Sequence, residues 1–439
     1  MIRPLRGTRD ILPGEVERWQ HVERVARALC ERYGYLEVRT PVIEREELFV
    51  KGTGEATDIV HKEMYSFTDK GGDRVTLRPE ATPSMVRAYV EHALEQSLAA
   101  VKLYSMGPMF RYERPQKGRY RQFHQLDVEV FGLNDPAVDA EVIDLAWTLV
   151  DDLGIRQSEL VINSVGCREC RPTFLAALLE ALGDDVAKLC QDCQRRAAIN
   201  PLRIYDCKVP ADQAIIERLP HAIDYLCAPC AEHFAGVKAQ LDAWGIPWRI
   251  SHRLVRGLDY YSRTTFEILG AASGESADGA EGGAALGAQN ALLGGGRYDG
   301  LVQDLGGPDR PGIGFAAGLE RLVLALPREA VTTVAPGAFV VAIGAGARAD
   351  GLNLLRELRR AGCVAHMDLE GRSLRAQMKR ADRIQARVTL IIGDDELAKG
   401  EVTLRHMTSG EQIAVPRGAV VDAVRRQLAS RPYGARETS

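Results

Sequence analysis

Residues 106 to 132 read MGPMFRYERPQKGRYRQFHQLDVEVFG. Two apolar stretches, one ending at Phe110 and one beginning at Phe123, flank a loop carrying Arg114, Lys117, Arg119 and Arg121, and Arg111 sits at the end of the first. Alternate residues of a strand point opposite ways, so Gln125, Asp127 and Glu129 share one face and Leu126, Val128 and Val130 the other. A complete apolar face backing a polar row, beside converging arginines, fits a site for a polar ligand that carries an anion. A solvated hairpin with a charged tip is the plainer alternative, but it leaves the convergence of charges without a reason.

Upstream, Val16, Trp19, Val22, Val25, Ala26 and Leu29 recur at helical spacing from Glu15 to Tyr33, and Gly34 supplies a stop. YLEVRTPVIE then alternates like a half-buried strand until Pro41, which cannot donate to a ladder and marks an edge or an interface. Further strands are expected at Glu63 to Phe67, Arg74 to Leu77, Val101 to Phe110, Phe123 to Phe131 and Tyr261 to Leu269, with helices at Pro83 to Gln96 and Asp139 to Leu153. Hairpin-like strands interleaved with helices, without a regular βαβ rhythm, predict an α+β domain built on an antiparallel sheet. The segment 270–290, GAASGESADGAEGGAALGAQN, cannot bury a core and reads as a flexible hairpin loop. PREAVTTVAPG, 327–337, is a linker. Beyond it, apolar strands (Phe339 to Ile343, Val388 to Ile392) alternate with helices (Ala349 to Ala361, Ser373 to Ala386), which predicts a small α/β domain with a largely parallel sheet.

The chain has 439 residues, 46% hydrophobic and 26% charged, enough for two or three domains. No stretch approaches the roughly 18 apolar residues of a membrane span and the first residues lack an apolar signal core, so no membrane partner and a cytoplasmic location are expected. A net charge of -4 excludes a uniformly basic nucleic-acid coat and leaves room for local basic patches.

The segment from Phe110 to Glu129 resembles motif 2 of the class II aminoacyl-tRNA synthetases, in the form found in the histidyl-tRNA synthetases. TPVIE around Pro41 is similar to motif 1, and GLERLVLAL at 318–326 to motif 3. RGLDYYSRTTFEI and GGGRYDGL resemble the two histidine-specific signatures, and RGTRDILPG and TLRPEATPSMVRA also match. The resemblance covers nearly the whole chain. It implies a class II synthetase-like catalytic domain over 1–330, a helical cysteine-rich insertion over 167–236 and a C-terminal α/β anticodon-binding domain over 336–430. It further implies L-histidine, ATP, Mg²⁺ and tRNA(His) as ligands, and a homodimer through the region of Pro41.

Activation brings the histidine carboxylate onto the α-phosphorus of ATP, so cations must surround that point. By resemblance the catalytic arginines are Arg111, Arg256 and Arg321. The ATP-binding set is Arg111, Glu113, Arg119, Phe123 and Arg321, with Glu113 and Phe123 at the adenine and Arg114 and Arg119 at the phosphates or the tRNA end. Histidine falls to Glu80, Thr82, Arg111, Gln125, Glu129, Arg256, Tyr260 and Tyr261. Of these, Glu129 and Tyr261 face the ring nitrogens, and Glu80, Thr82 and Gln125 hold the ammonium. Strand periodicity would send Tyr260 and Tyr261 to opposite faces. The role of Asp127 stays open, and so does that of GGGRYDGL beyond allowing close backbone approach. Arg356, Arg359, Arg360, Arg372, Arg375, Lys379 and Arg380 suit an anticodon reader or simply a solvated helix face.

Seven of the nine cysteines fall between Cys167 and Cys230. Cys167 and Cys170, Cys190 and Cys193, and Cys227 and Cys230 form C-x₂-C pairs, with Cys207 between, and the first two pairs have the separation of a four-cysteine zinc site. The synthetase family does not generally hold zinc, and such cysteines also serve as small buried apolar residues. Structural zinc and plain burial both stand, and no metal ligand is assigned. Cys30 and Cys363 read as core. Two other functions compete with the enzyme: a synthetase-like regulatory subunit that senses histidine without charging tRNA, and a bare scaffold. Retention of Arg111, Arg256, Arg321 and the C-terminal domain favours the enzyme.

Overall fold

The computed structural model describes residues 2–55, 57–96, 100–116, 118–270, 290–330 and 337–429. They fall into two compact units, Met1–Val331 and Thr332–Ser439. Lys117 and most of the 270–290 and 327–337 segments lie outside the described residues. Among the described residues, no helix is long and apolar enough to cross a membrane.

The strands of the first unit are β1 (Leu36–Glu37), β2 (Ile43–Arg45), β3 (Tyr65–Thr68), β4 (Arg74–Leu77), β5 (Val101–Phe110), β6 (Gln122–Phe131), β7 (Glu159–Ser164), β8 (Trp248–Ile250), β9 (Ser262–Leu269), β10 (Ala291–Arg297) and β11 (Gly312–Gly318). Eight of them form one sheet in the order β1-β5-β6-β11-β10-β9-β7-β8. From β5 to β7 every pairing is antiparallel, while the edge strands β1 and β8 pair parallel to their neighbours. β2, β4 and β3 make a separate small sheet. The stretch around Pro41 is therefore two short strands in two sheets, because proline interrupts the ladder between them.

The alternation of β6 sets the layers. Leu126, Val128 and Val130 are buried in the main apolar cluster with Trp19, Leu145, Leu149 and Phe315. The helix Val16–Arg32 contributes Trp19, Val22, Ala26 and Leu29 to it at helical spacing, and Gly34 follows at φ +79°. The helix Pro136–Asp152 begins with Asp135 accepting from the Ala137 amide at 2.8 Å and proline in its first turn. The opposite face of the sheet carries a second cluster in which Tyr89 stacks on Phe131 at 4.6 Å.

The second unit holds β12 (Ala338–Ala342), β13 (Ala365–Met367), β14 (Val388–Ile392), β15 (Glu401–His406) and β16 (Gln412–Pro416), in the order β13-β12-β14-β15-β16. The first three are parallel, and β15 and β16 add on antiparallel. The sheet is thus only half parallel. A short helix, Asp394–Lys399, replaces a long crossover after β14, and the next strand returns in the opposite direction.

Candidate active site

The polar face of β6 opens onto a cavity of about 670 Å³. All twelve side chains expected at the site line it: Glu80, Thr82, Arg111, Glu113, Arg119, Phe123, Gln125, Glu129, Arg256, Tyr260, Tyr261 and Arg321. Arg114 is exposed and does not line it.

One part of the cavity is acidic. Asp127 and Glu129, each 1% exposed, project from β6, and Glu80 joins them from the turn ahead of the helix Thr82–Glu91. Thr82 donates to Glu129 Oε1 at 2.6 Å and Tyr298 donates to Oε2. Glu80 accepts from Thr53 at 2.5 Å and from Tyr260 at 2.9 Å. Burial, reinforced by like charges, pushes Glu129 up to about 8; burial and the nearby Glu80 push Asp127 to about 8 against the pull of Arg78. Burial also raises Glu80, opposed by its hydrogen bonds and Arg111.

Arginines crowd the rest of the wall. Arg111 sits 5.2 Å over the Phe123 ring and donates to the Pro79 carbonyl at 2.8 Å. Arg119 pairs with Glu113, and Arg256 pairs with Glu267. Burial disfavours the charge on Arg256, but Glu267 and Tyr261 hold its pKa above the usual arginine value. Arg321 donates to the Ala291 carbonyl at 2.7 Å; burial, then the neighbouring Arg119, lowers its pKa. Glu320 accepts from the His124 amide at 2.9 Å, which ties the helix Leu319–Ala325 to the start of β6.

Gln125 Oε1, Asp127 Oδ2 and Arg256 Nε are buried with no hydrogen-bond partner among the described residues. Buried polar groups are rarely left so, and three around one cavity are the groups a polar, zwitterionic ligand would satisfy.

Tyr260 and Tyr261 both line this cavity, with ring centroids 4.7 Å apart, instead of dividing between two faces. They precede β9, whose ladder begins at Ser262, so strand periodicity does not govern them. Sequence reasoning passed over Tyr298, the second donor to Glu129, and Glu267, the partner of Arg256. Tyr298 lies within GGGRYDGL, and Glu267 is an acidic residue among the apolar residues Phe266, Ile268 and Leu269 of β9; both were visible signals. The glycines of that motif do allow close approach: a side chain at Gly294 would come within 2.7 Å of Glu267 and 3.0 Å of the Arg256 guanidinium carbon. Arg297 turns away into a buried cluster with Asp139 and His233.

Residues 7–322 match the family model described as histidyl-tRNA synthetase, and residues 338–427 match an anticodon binding domain. The chain belongs to the histidyl-tRNA synthetase family. It is 50% identical to the histidine–tRNA ligase of Desulforamulus reducens over 93% of this chain and 95% of that protein. It is 49% identical to that of Geobacter metallireducens over 94% and 96% respectively. The apo histidyl-tRNA synthetase of S. aureus superposes with a TM-score of 0.80 at 37% identity, covering 97% of this chain and all of that one. As a member of this family the chain is an aminoacyl-tRNA synthetase, with ATP as a substrate.

Proposed function

We propose that the chain is a histidine–tRNA ligase: it joins L-histidine to ATP as histidyl-adenylate, releasing pyrophosphate, and then passes histidine to the 3′ end of tRNA(His). The observation that carries this reading is the meeting, in one cavity, of a buried carboxylate row on β6 with Arg111, Arg256 and Arg321.

In the first step a carboxylate oxygen of histidine forms a bond to the α-phosphorus while the bond to the pyrophosphate oxygen breaks. Arg111, Arg256 and Arg321 balance the charge that collects there. The adenine stacks on Phe123 beside Glu113, and Arg119 meets the outer phosphates. Glu129 accepts from one imidazole nitrogen and Tyr261 faces the other. Glu80, Thr82 and Gln125 hold the ammonium, to which Asp127 adds a second carboxylate. Tyr260 completes the wall. In the second step a ribose hydroxyl of the tRNA attacks the carbonyl carbon and the adenylate phosphate leaves, taking up the proton. A lookalike lacking the ring nitrogens would forgo the hydrogen bond to Glu129 in a buried pocket, which rejects it far better than an apolar wall does.

Mg²⁺, bound with the triphosphate, would supply further neutralisation of the phosphate charge. It favours phosphate oxygens with a few carboxylates, and Glu113 and Glu267 already pair with arginines, so no protein ligand is assigned. Residues 1–330 act as the catalytic domain with 167–236 as its insertion, and 336–430 read the anticodon. The enzyme works in the cytoplasm as a homodimer joined through the Pro41 region. Arg356, Arg359, Arg360, Arg372, Arg375 and Lys379 are exposed on the second unit, as a tRNA contact requires.

Histidine-dependent exchange of pyrophosphate into ATP, followed by charging of tRNA(His), tests the reading. Exchange no greater than with other amino acids sinks the specificity. Exchange without charging would favour the histidine-sensing regulatory subunit.

A further inference from the structure

The insertion brings its cysteines together in an arrangement that the sequence spacing misjudged. Cys167 and Cys170 meet Cys227 and Cys230, not Cys190 and Cys193. The latter two meet Cys207 and the carboxylate of Asp212. In each group the four ligand atoms lie within 4.8 Å of one another.

We propose that the insertion binds two structural zinc ions, one at Cys167, Cys170, Cys227 and Cys230, the other at Cys190, Cys193, Cys207 and Asp212.

The spacing of the sulfurs is the first argument. Cys167 and Cys170 are 3.7 Å apart, Cys167 and Cys227 3.8 Å, Cys170 and Cys230 3.9 Å, and Cys190 and Cys207 3.9 Å. Disulfide sulfurs are about 2.05 Å apart. A tetrahedron with zinc–sulfur bonds of about 2.3 Å has edges of about 3.8 Å. Cysteines serving only as small apolar residues would point at aliphatic neighbours. Cys170 and Cys230 are buried, yet belong to none of the apolar clusters of the described residues; Cys193 and Cys207 do belong to the insertion's own cluster, and there it is their convergence with the buried Asp212 carboxylate that points to a metal.

Backbone donors and helix ends point at several of the sulfurs. The Cys167 amide donates to Cys170 Sγ at 3.2 Å, and the Val209 amide to Cys207 Sγ at 3.4 Å. Cys190 and Cys227 stand at the N-termini of the helices Gln191–Ile199 and Ala228–Ala243. Gly166, at φ +70°, has no side chain, and a Cβ there would come within 2.7 Å of Cys170 Sγ. Asp212 is 1% exposed, and its oxygens face the Cys190 amide at 3.1 Å and Cys207 Sγ at 3.2 Å. Four protein ligands per group close each site, as in a structural rather than a catalytic centre, and soft sulfur mixed with one carboxylate suits zinc.

The two ions would act as staples in a module whose own apolar cluster is small. The first joins its two ends. Beside it, Arg171 donates to the carbonyls of Gly166 and Tyr261. The second fixes the stretch from which Arg203 donates to the Gly257 carbonyl at 2.7 Å, next to Arg256, and to whose Cys207 carbonyl Arg253 donates at 3.0 Å. The metals would thereby position, through backbone contacts, two residues of the cavity wall.

Elemental analysis of the full chain, expressed without added metal and purified without a metal-affinity column, tests this. About two zinc per chain are expected, with Cys230→Ser and Cys207→Ser each losing about one. One equivalent or less in the unaltered chain, iron in place of zinc, or zinc retained in both variants overturns the proposal. Should the variants fail to fold, cobalt exchanged into the unaltered chain decides. Intense thiolate-to-cobalt absorption from two sites supports it, and its absence overturns it.

Discussion

Thr82 donates its hydroxyl to Glu129 at 2.6 Å, joining the first turn of a helix to the middle of β6, and Tyr298 takes the carboxylate's other oxygen. Both oxygens are therefore held in place before a ligand arrives. Removing the Tyr298 hydroxyl leaves one oxygen of a buried charge-bearing group short of a donor, a loss of about 1.5–3 kcal/mol. Tyr298→Phe should raise the KM for histidine roughly ten- to a hundredfold, at that energy, with the KM for ATP nearly unchanged. Steady-state pyrophosphate exchange reads both.

Arg256→Ala should lower the rate of adenylation by about 10²–10³, as loss of one donor to a developing oxyanion does elsewhere. Far-ultraviolet circular dichroism should stay that of the parent. Gly294→Ala should reproduce part of the loss without removing a charged group, because its methyl group would push into Arg256 and Glu267. Single-turnover formation of histidyl-adenylate separates this effect from tRNA charging.

The unliganded protein should lose stability as pH rises. Asp127 and Glu129 go from ordinary carboxylate values in the unfolded chain to about 8 when folded, chiefly through burial. The folded state thus holds protons that the unfolded state has released. The contribution is complete below about pH 4 and is lost as pH climbs toward 8, by at most about 1.4 kcal/mol per pH unit for each group. Urea unfolding at pH 6 and pH 8 reads the slope, which Glu129→Gln and Asp127→Asn should each flatten. An unchanged slope in both variants would contradict the shifts.

Arg297 and Asp139 are fully buried and paired, and the His233 Nε2–H donates to the same carboxylate at 2.9 Å. Arg297→Met should destabilise the first unit by about 3–5 kcal/mol, since it strands a buried carboxylate. Chemical unfolding measures this, and the KM for histidine in the still-folded fraction should hardly change.

β6 was legible because its residues from Gln125 to Val130 alternate polar and apolar and carry a polar row that no surface strand needs. β10 and β11 were not. Their sequences, ALLGGGR and GIGFAAG, are broken by glycines and hold only Ile313 and Phe315 of the β-branched and aromatic residues by which strands are recognised. Packing supplies the reason: a side chain at Gly314 would overlap Glu129, and one at Gly295 would overlap the Gly314 carbonyl. The glycines that hide the strands are what brings the carboxylate into the cavity. Partners on the third dimension were equally hidden. Chain spacing nominated Cys190 and Cys193 as companions of Cys167 and Cys170, but the insertion folds back so that its two ends meet.

The two faces of β6 also constrain how its gene can drift. An extra codon within the strand would rotate every residue beyond it by half a period, carrying Asp127 and Glu129 into the oily layer and the valines into the cavity. Substrate choice and foldability would fail in one event, so this segment can change by substitution but hardly by insertion or deletion. At the far end of β9 the opposite holds. There the Gly270 amide is bonded to the Asn290 carbonyl at 2.8 Å, and the closure cost of whatever chain lies between grows only slowly with its length. Length variation among lineages should therefore gather between those two residues and spare the strand that carries the carboxylates.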